Sequence, residues 1–424
     1  MTQELNKQSN RLQKGGRIDR SKPLTFTYNG KQYKGFDGDT LASALLANGV
    51  DLVGRSFKYS RPRGIVAAGA EEPNAIMQIG ATEATQIPNV RATQQSLYNG
   101  LVASTTNGWP SVDTDVMGWV GKVGGKMMPP GFYYKTFMYP KSMWETYESY
   151  IRKAAGLGRA PKENDPDIYD KMNQHCDVLI VGAGPAGLMA ALTAARAGAR
   201  VIIADEQNEF GGSLLSSTET LNGKPASEWV ADVVQELSGF KDVLLLPNSQ
   251  VNGYHDHNFL TIQQHCTDQF ADSAPNGQIA QRLHRVRAKW VVLATGAHER
   301  PLVFANNDLP GVMLASAVST YVRRYAVTPG SKLVLMTTND HAYQTAFDWA
   351  DAGREVVAIV DTRTNSDSEC VFIAKARGIK VITGTAVIEA KGSKRVTGAM
   401  VVPLNEAGDQ LMGDAQLLEC DLIA

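Results

Sequence analysis

The sequence predicts an α/β protein in which a small α+β domain precedes a Rossmann-like, FAD/NAD(P)-binding domain of two lobes. Three observations carry that reading. Residues 176–205, "CDVLIVGAGPAGLMAALTAARAGARVIIAD", run strand, glycine-rich turn, helix, strand and end on an acid. A second strand, helix, strand pattern, "SKLVLMTTNDHAYQTAFDWADAGREVVAIVD", fills residues 331–361. Ahead of both, residues 20–90 alternate polar and apolar as a hairpin does and then switch to helical spacing.

Residues 1–19 are polar and are expected to form a disordered tail. Residues 20–95 make the small domain. Within it "LTFTYNGKQYKGFDG" reads as two strands about the turn Asn29-Gly30, and "DTLASALLANGV" as a helix with Asp39 or Thr40 at its N-cap and Gly49 at its end. Residues 96–172 are rich in Gly, Pro and aromatics and form a connector that finishes in the helix "SMWETYESYIRKAAGLG". The Rossmann-like domain covers 173–329: strand "CDVLIVGAG", helix "PAGLMAALTAARAG" ending at Gly198, strand "ARVIIAD", a β-rich stretch at 243–293 and the strand end and turn within "WVVLATGAHERP". Residues 330–390 form the second lobe, and 391–424 return as strands to the first.

The 424 residues are too many for one core. With 43% hydrophobic and 20% charged residues, a formal net charge of -1 and a pI near 6.7, the chain has no global attraction to nucleic acid or to anionic membrane. Residues 1–16 lack the apolar segment of a secretory signal, which points to the cytoplasm. Cys176, Cys266, Cys370 and Cys420 lie far apart without C-x-x-C spacing, so a disulfide scaffold, an iron-sulfur cluster or a redox dithiol within the chain is disfavoured and free thiols are expected. The apolar run 177–199 is broken by Gly182, Gly184 and Pro185 and contains Arg196, so it reads as strand plus helix rather than a membrane span.

The chemistry concentrates in one turn. Gly182, Gly184 and Gly187 spell G-x-G-x-x-G between a strand and a helix: the first permits the tight turn, the second lets a diphosphate approach the backbone, the third lets helix and strand pack closely. Pro185 and Ala186 open the helix, whose free N–H groups and dipole favour an anion. Asp205 and Glu206, about twenty residues further on, are placed to accept hydrogen bonds from the adenosine ribose. Carboxylates there would repel a 2′-phosphate, and Gln207 rather than Arg follows them, so NAD or FAD is expected and NADP is not. Gly211, Gly212 and Ser213 could close a backbone turn over ribose and phosphates, and Thr295 with Gly296 could return a second turn to the diphosphate.

The second βαβ run has no such turn. Met336, Thr337, Thr338, Asn339, Asp340 and His341 stand where the glycines would be, so one dinucleotide is expected, not two. His255, His257, His265 and Cys266 lack an established ligand spacing, and no metal is assigned. Arg55, Lys58, Arg61 and Arg63 make a basic stretch read as a solvated or interface-facing turn rather than a nucleic-acid site. No Ser/His/Asp or Cys/His arrangement can be read, so catalytic residues are not identified.

Six stretches carry a resemblance: "GRSFKYSRPRGIVAAGAEEPNA" (54–75), "PNVRAT" (88–93), "NGWPS", "PPGFYYKTFM", "CDVLIVGAGPAGLMAA" and "LATGAHERPLVFANNDLPGVMLASAV". With them the chain resembles the amino-terminal part of the alpha subunits of heterotetrameric sarcosine oxidases over nearly everything after residue 17. Opine oxidases and hydrogen cyanide synthases share only the dinucleotide motifs. The resemblance implies that the first domain is a degenerate, cysteine-less ferredoxin-like fold, with "VAAGAEEPN" (66–74) where the cysteine loop would be. It implies NAD on this chain, contacted by Ala186, Asp205, Glu206, Gln207, Ser213 and the backbone of Val251, with FAD and FMN on the beta subunit or its interface. It further implies beta, gamma and delta partner subunits, oxidative demethylation of sarcosine to glycine with hydrogen peroxide, and a tetrahydrofolate domain missing here. Family alpha subunits are more than twice as long, and the chain stops at the strand "LLECDLIA", so a truncated subunit or fragment is expected.

Two other functions compete. The two-lobed order also suits an FAD-dependent NAD(P)H reductase, which would need a usable second glycine turn. A non-catalytic assembly module with a structural nucleotide would need only the first.

Overall fold

The computed structural model describes residues 8–57, 59–116, 118, 139–364 and 366–424. They form two compact units, one of Glu163–His298 and one of Met1–Lys162 with Glu299–Ala424.

The unit Glu163–His298 is built on a six-stranded sheet in the order Val243–Leu246, Val201–Ala204, Ile168–Val181, Ile279–Leu293, Phe259–His265, Ser249–His255. The first four strands run parallel and the last two antiparallel. Side-chain alternation explains why this sheet needs cover on both faces. Val201 and Ile203 pack with Leu188, Ala191 and Leu192 of the helix Pro185–Arg196 and with Val230, Val233 and Leu237 of Ala226–Ser238. Ile202 and Ala204 face the other way, onto Leu179, Leu246, Leu260 and Val286. The strand expected to start at Cys176 begins at Ile168: its polar first half pairs with residues 279–287 and satisfies its backbone there.

The other unit joins the small domain to the second lobe. The hairpin Asp19–Tyr28 and Lys31–Asp37 turns at Asn29 and Gly30, both at positive φ as a two-residue turn requires. The helix Leu41–Ala47 starts in a reciprocal cap, Ser43 N–H donating to Thr40 Oγ1 and Thr40 N–H to Ser43 Oγ. The sheet order is Lys31–Asp37, Asp19–Tyr28, Val102–Thr105, Ile76–Ile79, Ile87–Arg91. Because Val102–Thr105 sits at its centre, the domain extends beyond residue 95 into the expected connector. Residues 117 and 119–138 of that connector lie outside the described residues; the helix Trp144–Ala155 is present and stops at the left-handed Gly156.

Three further boundaries are corrected in this unit. The tail was expected to be disordered. Residues 1–7 lie outside the described residues, but from there the chain is strapped down: Asn10 N–H donates to Ala47 O, and the Leu12 and Arg17 amides donate to the carbonyls of Ala326 and Arg324. Those carbonyls are the ones helix C-termini leave without partners. The helix Ala315–Tyr325, expected in the first lobe, packs Val318, Tyr321 and Tyr325 into one core with Leu41, Leu45, Leu333 and Trp349. The strands after 390 were expected to return to the first lobe. Instead Val396–Pro403 pairs with Thr385–Gly392 and Gln416–Leu418, and Leu422–Ile423 adds to Lys332–Thr337 in a parallel sheet with Glu355–Asp361 and Val381–Thr383. Their apolar residues, among them Val396, Val401 and Leu418, are complementary to Val334, Ala358 and Val360 of the second lobe. No helix among the described residues is long and apolar enough to cross a membrane.

Candidate dinucleotide site

Three backbone turns meet at the carboxyl ends of the parallel strands in the unit Glu163–His298. That edge, where strand order reverses, is where open α/β sheets bind ligands. The first turn follows Val181. Gly182 has φ +97, and a Cβ there would lie 2.3 Å from Ala294 O, so only glycine fits. A Cβ on Gly187 would lie 1.9 Å from Gly182 O, which fixes how closely helix and strand approach. Gly184 differs from both: its φ is -70, and a Cβ would meet nothing within 4 Å. The middle glycine thus differs from its two neighbours in facing open space. Gly184 is the N-cap of Pro185–Arg196, Pro185 is its first residue, and no side chain caps the helix. Pro185 and Ala186 are exposed.

The second turn, 205–213, closes against the first. Gly211 N–H donates to Ala183 O at 2.9 Å, and Gly212 is so close to Gly184 that a Cβ would lie 2.9 Å from its Cα. Ser213 is exposed at the start of the 3-10 turn Gly212–Leu215. The third turn follows Leu293: Ala294 N–H donates to Val181 O, and the exposed Thr295 and Gly296 lead away from Gly182. Val251 lies half-buried in the strand Ser249–His255, whose Ser249 N–H donates to Asp205 O at 2.7 Å.

The two acids play different structural parts. Asp205 is turned inward: Oδ2 accepts from Ala183 N–H at 2.6 Å and Oδ1 from Gln207 N–H at 2.8 Å. Its carboxylate thus ties the glycine turn to the end of the strand Val201–Ala204. The neighbouring Glu206 is exposed. From sequence the two acids read as one pair. Gly211 is among the glycines expected to close a turn, whereas Ala183, which joins the turns through its N–H and its carbonyl, carries no sequence signal because its part is played by backbone atoms.

In the second lobe the corresponding place is closed by side chains. Arg363 donates to Asp340 and to Asp361, and Tyr343 Oη donates to Asp361 Oδ2 at 2.8 Å. Asn339 N–H donates back to Thr337 Oγ1. Of the basic stretch, Arg61 and Arg63 both pair with Asp308; Lys58 lies outside the described residues.

Residues 176–423 match a family model described as pyridine nucleotide-disulphide oxidoreductase, and residues 21–108 match one described as 2Fe-2S iron-sulfur cluster binding domain. The chain is 48% identical over 399 residues to the sarcosine oxidase subunit alpha of Rhizobium meliloti (strain 1021), covering 93% of this chain and 39% of that protein. It is 38% identical to the subunit of the same name from Corynebacterium sp. (strain P-1), covering 96% of this chain and 37% of the other. The chain therefore spans about two fifths of these relatives and matches their amino-terminal part. Among solved structures, L-proline dehydrogenase from P. horikoshii superposes with a TM-score of 0.57 at 18% identity, over 98% of this chain and 61% of that one. The cluster named by the second match does not fit the residues present: 21–108 contains neither cysteine nor histidine, the ligands that [2Fe–2S] centres take.

Proposed function

Since the chain belongs to the pyridine nucleotide-disulphide oxidoreductase family, we propose that its glycine turn at 182–187 holds the diphosphate of NAD. The observation that carries this is the open space in front of Gly184 at the start of a helix that no side chain caps. The amides of Ala186 and Gly187 would face the phosphates, with Pro185 fixing the first helical turn. Glu206 would accept from the ribose hydroxyls while Asp205 keeps the turn in shape. Gly212, Ser213, Thr295 and Gly296 would close over the phosphates and ribose, with Gln207 and the Val251 backbone beside the adenosine. A bound nicotinamide nucleotide supplies hydride exchange; this chain's residues bind and orient it.

Likeness to the named alpha subunits supports the wider reading. The chain is the NAD-binding amino-terminal part of a cytoplasmic sarcosine oxidase, which demethylates sarcosine oxidatively to glycine with hydrogen peroxide. In that assembly beta, gamma and delta subunits are the partners, FAD and FMN reside on the beta subunit or its interface, and the tetrahydrofolate step belongs to the remainder of the alpha subunit. The FAD-dependent reductase alternative needs a second nucleotide turn, where Arg363, Asp340 and Asp361 already pair.

The test is the nucleotide released from the purified chain, compared with that from Gly184→Ala. NAD is expected from the parent, and at least tenfold less from the variant, with the same Tm for the two proteins once both are stripped of nucleotide. NADP, or a flavin with its visible absorbance, would replace this reading with another.

A further inference from the structure

The first domain matches a cluster-binding family without carrying cluster ligands, and the loop at 66–75, where the resemblance puts the cysteine loop, encloses a carboxylate. Glu72 is 1% exposed. Its Oε2 accepts from Val66 N–H and Ala67 N–H, each at 2.8 Å, and its Oε1 from Asn74 N–H at 2.7 Å and Ala75 N–H at 3.0 Å. Four converging backbone amides form the kind of nest that accepts phosphates and iron-sulfur clusters elsewhere. Here the anion inside the nest is the loop's own carboxylate.

Collecting the amides inward turns the carbonyls of the same residues outward. Val66 O accepts from Leu314 N–H at 2.8 Å, and Ala67 O accepts from Tyr321 Oη at 2.8 Å in a buried bond. Just upstream, Gly64 lies against Pro310 so closely that a Cβ would be 2.7 Å from its Cα. One end of the loop is thus gripped by Glu72 on one side and by the helix Ala315–Tyr325 and its entry on the other.

We propose that Glu72 acts as a built-in anion replacing the cluster, and that the loop it shapes serves as a redox-silent docking surface holding the first domain on the second lobe. The proposal is independent of the nucleotide reading, because these residues belong to one compact unit and the turn at 182–187 to the other.

Thermal unfolding of the full chain tests it with three proteins: parent, Glu72→Ala and, as a control that removes a different buried charge, Arg11→Ala. Sodium formate supplies a free carboxylate. It is expected to raise the Tm of Glu72→Ala by about 2–4 °C, a shift readable for a protein of this size, while leaving the other two unmoved. An equal response in all three, or a Glu72→Ala chain as stable as the parent, overturns the proposal. Should Glu72→Ala fail to fold, hydrogen exchange of the parent decides. The amides of Val66, Ala67, Asn74 and Ala75 are expected among the slowest of the domain, and exchange at exposed-loop rates overturns it. Tyr321→Phe should cost the parent more stability than it costs Glu72→Ala; strict additivity would remove the docking half.

Discussion

Arg11 shows how much one side chain can decide in this protein. Its guanidinium meets the Asp39 carboxylate at 2.6 and 3.1 Å, and Nη1 also donates to Tyr325 O. Asp39 accepts besides from Phe36 N–H and Ser43 Oγ. Both members of the pair are almost fully buried. Removing one partner of a buried pair leaves the other charge uncompensated, so Arg11→Ala should cost about 3–5 kcal/mol, measured by denaturant unfolding. A loss below about 1 kcal/mol would mean that the pair is wet and weak. The cysteines make the opposite case. Burial pushes the Cys176 thiol up to about 11 and Cys420 up to about 12, so neither holds a useful thiolate fraction at pH 7. Alkylation of the native chain should reach the more accessible Cys266 and Cys370 first. That these thiols are free was legible from their spacing. The inward turn of Asp205 was not, because both acids lie just past the strand Val201–Ala204, in a turn where alternation no longer says which side chain faces the glycines.

At the scale of elements, legibility followed periodicity. The βαβ run from Cys176 to Ala204 was readable because its strands are apolar on both faces and its helix has a proline start and a glycine stop. The polar strand half at 168–175 and the strap at 8–18 were not, since both are held by backbone bonds to partners far along the chain. The glycine turn yields a sharp contrast between neighbours. Gly187→Ala forces a methyl against Gly182 O and should destabilise the fold by about 1–3 kcal/mol or more. Gly184→Ala meets no atom and has a φ any residue adopts, so with nucleotide removed from both proteins its Tm should stay within a degree or two of the parent. Thermal scans of both variants check this; equal losses would mean that the turn relaxes as one piece.

At the scale of the whole chain, the sequence drew domain borders by motif, whereas the compact units follow packing: Glu163–His298 is an insertion between two segments that share a core. The units should also respond to acid in different windows. In the inserted unit His284 is buried beside Gln174 and Gln264, and burial together with the like charge of Arg282 pushes its imidazolium down, Asp170 opposing. A base whose folded pKa is depressed contributes fully above its unfolded value of about 6.5 and costs stability as pH falls through that value. In the other unit, burial works against the carboxylates of Asp308, Asp361 and Asp421. Arg61 with Arg63, Arg363, and the Ser331 and Lys332 groups nevertheless hold them below the usual range. A carboxyl with a depressed folded pKa keeps its contribution above the unfolded value of about 3.9 and loses it only below. Rate-normalised hydrogen exchange should therefore show residues 163–298 loosening between pH 7 and 5.5 while the rest holds until below about pH 4. His284→Gln, uncharged at every pH, should flatten the first change and leave the second. If both units loosen at one pH, or the variant keeps the first change, the weak point of the inserted unit lies elsewhere.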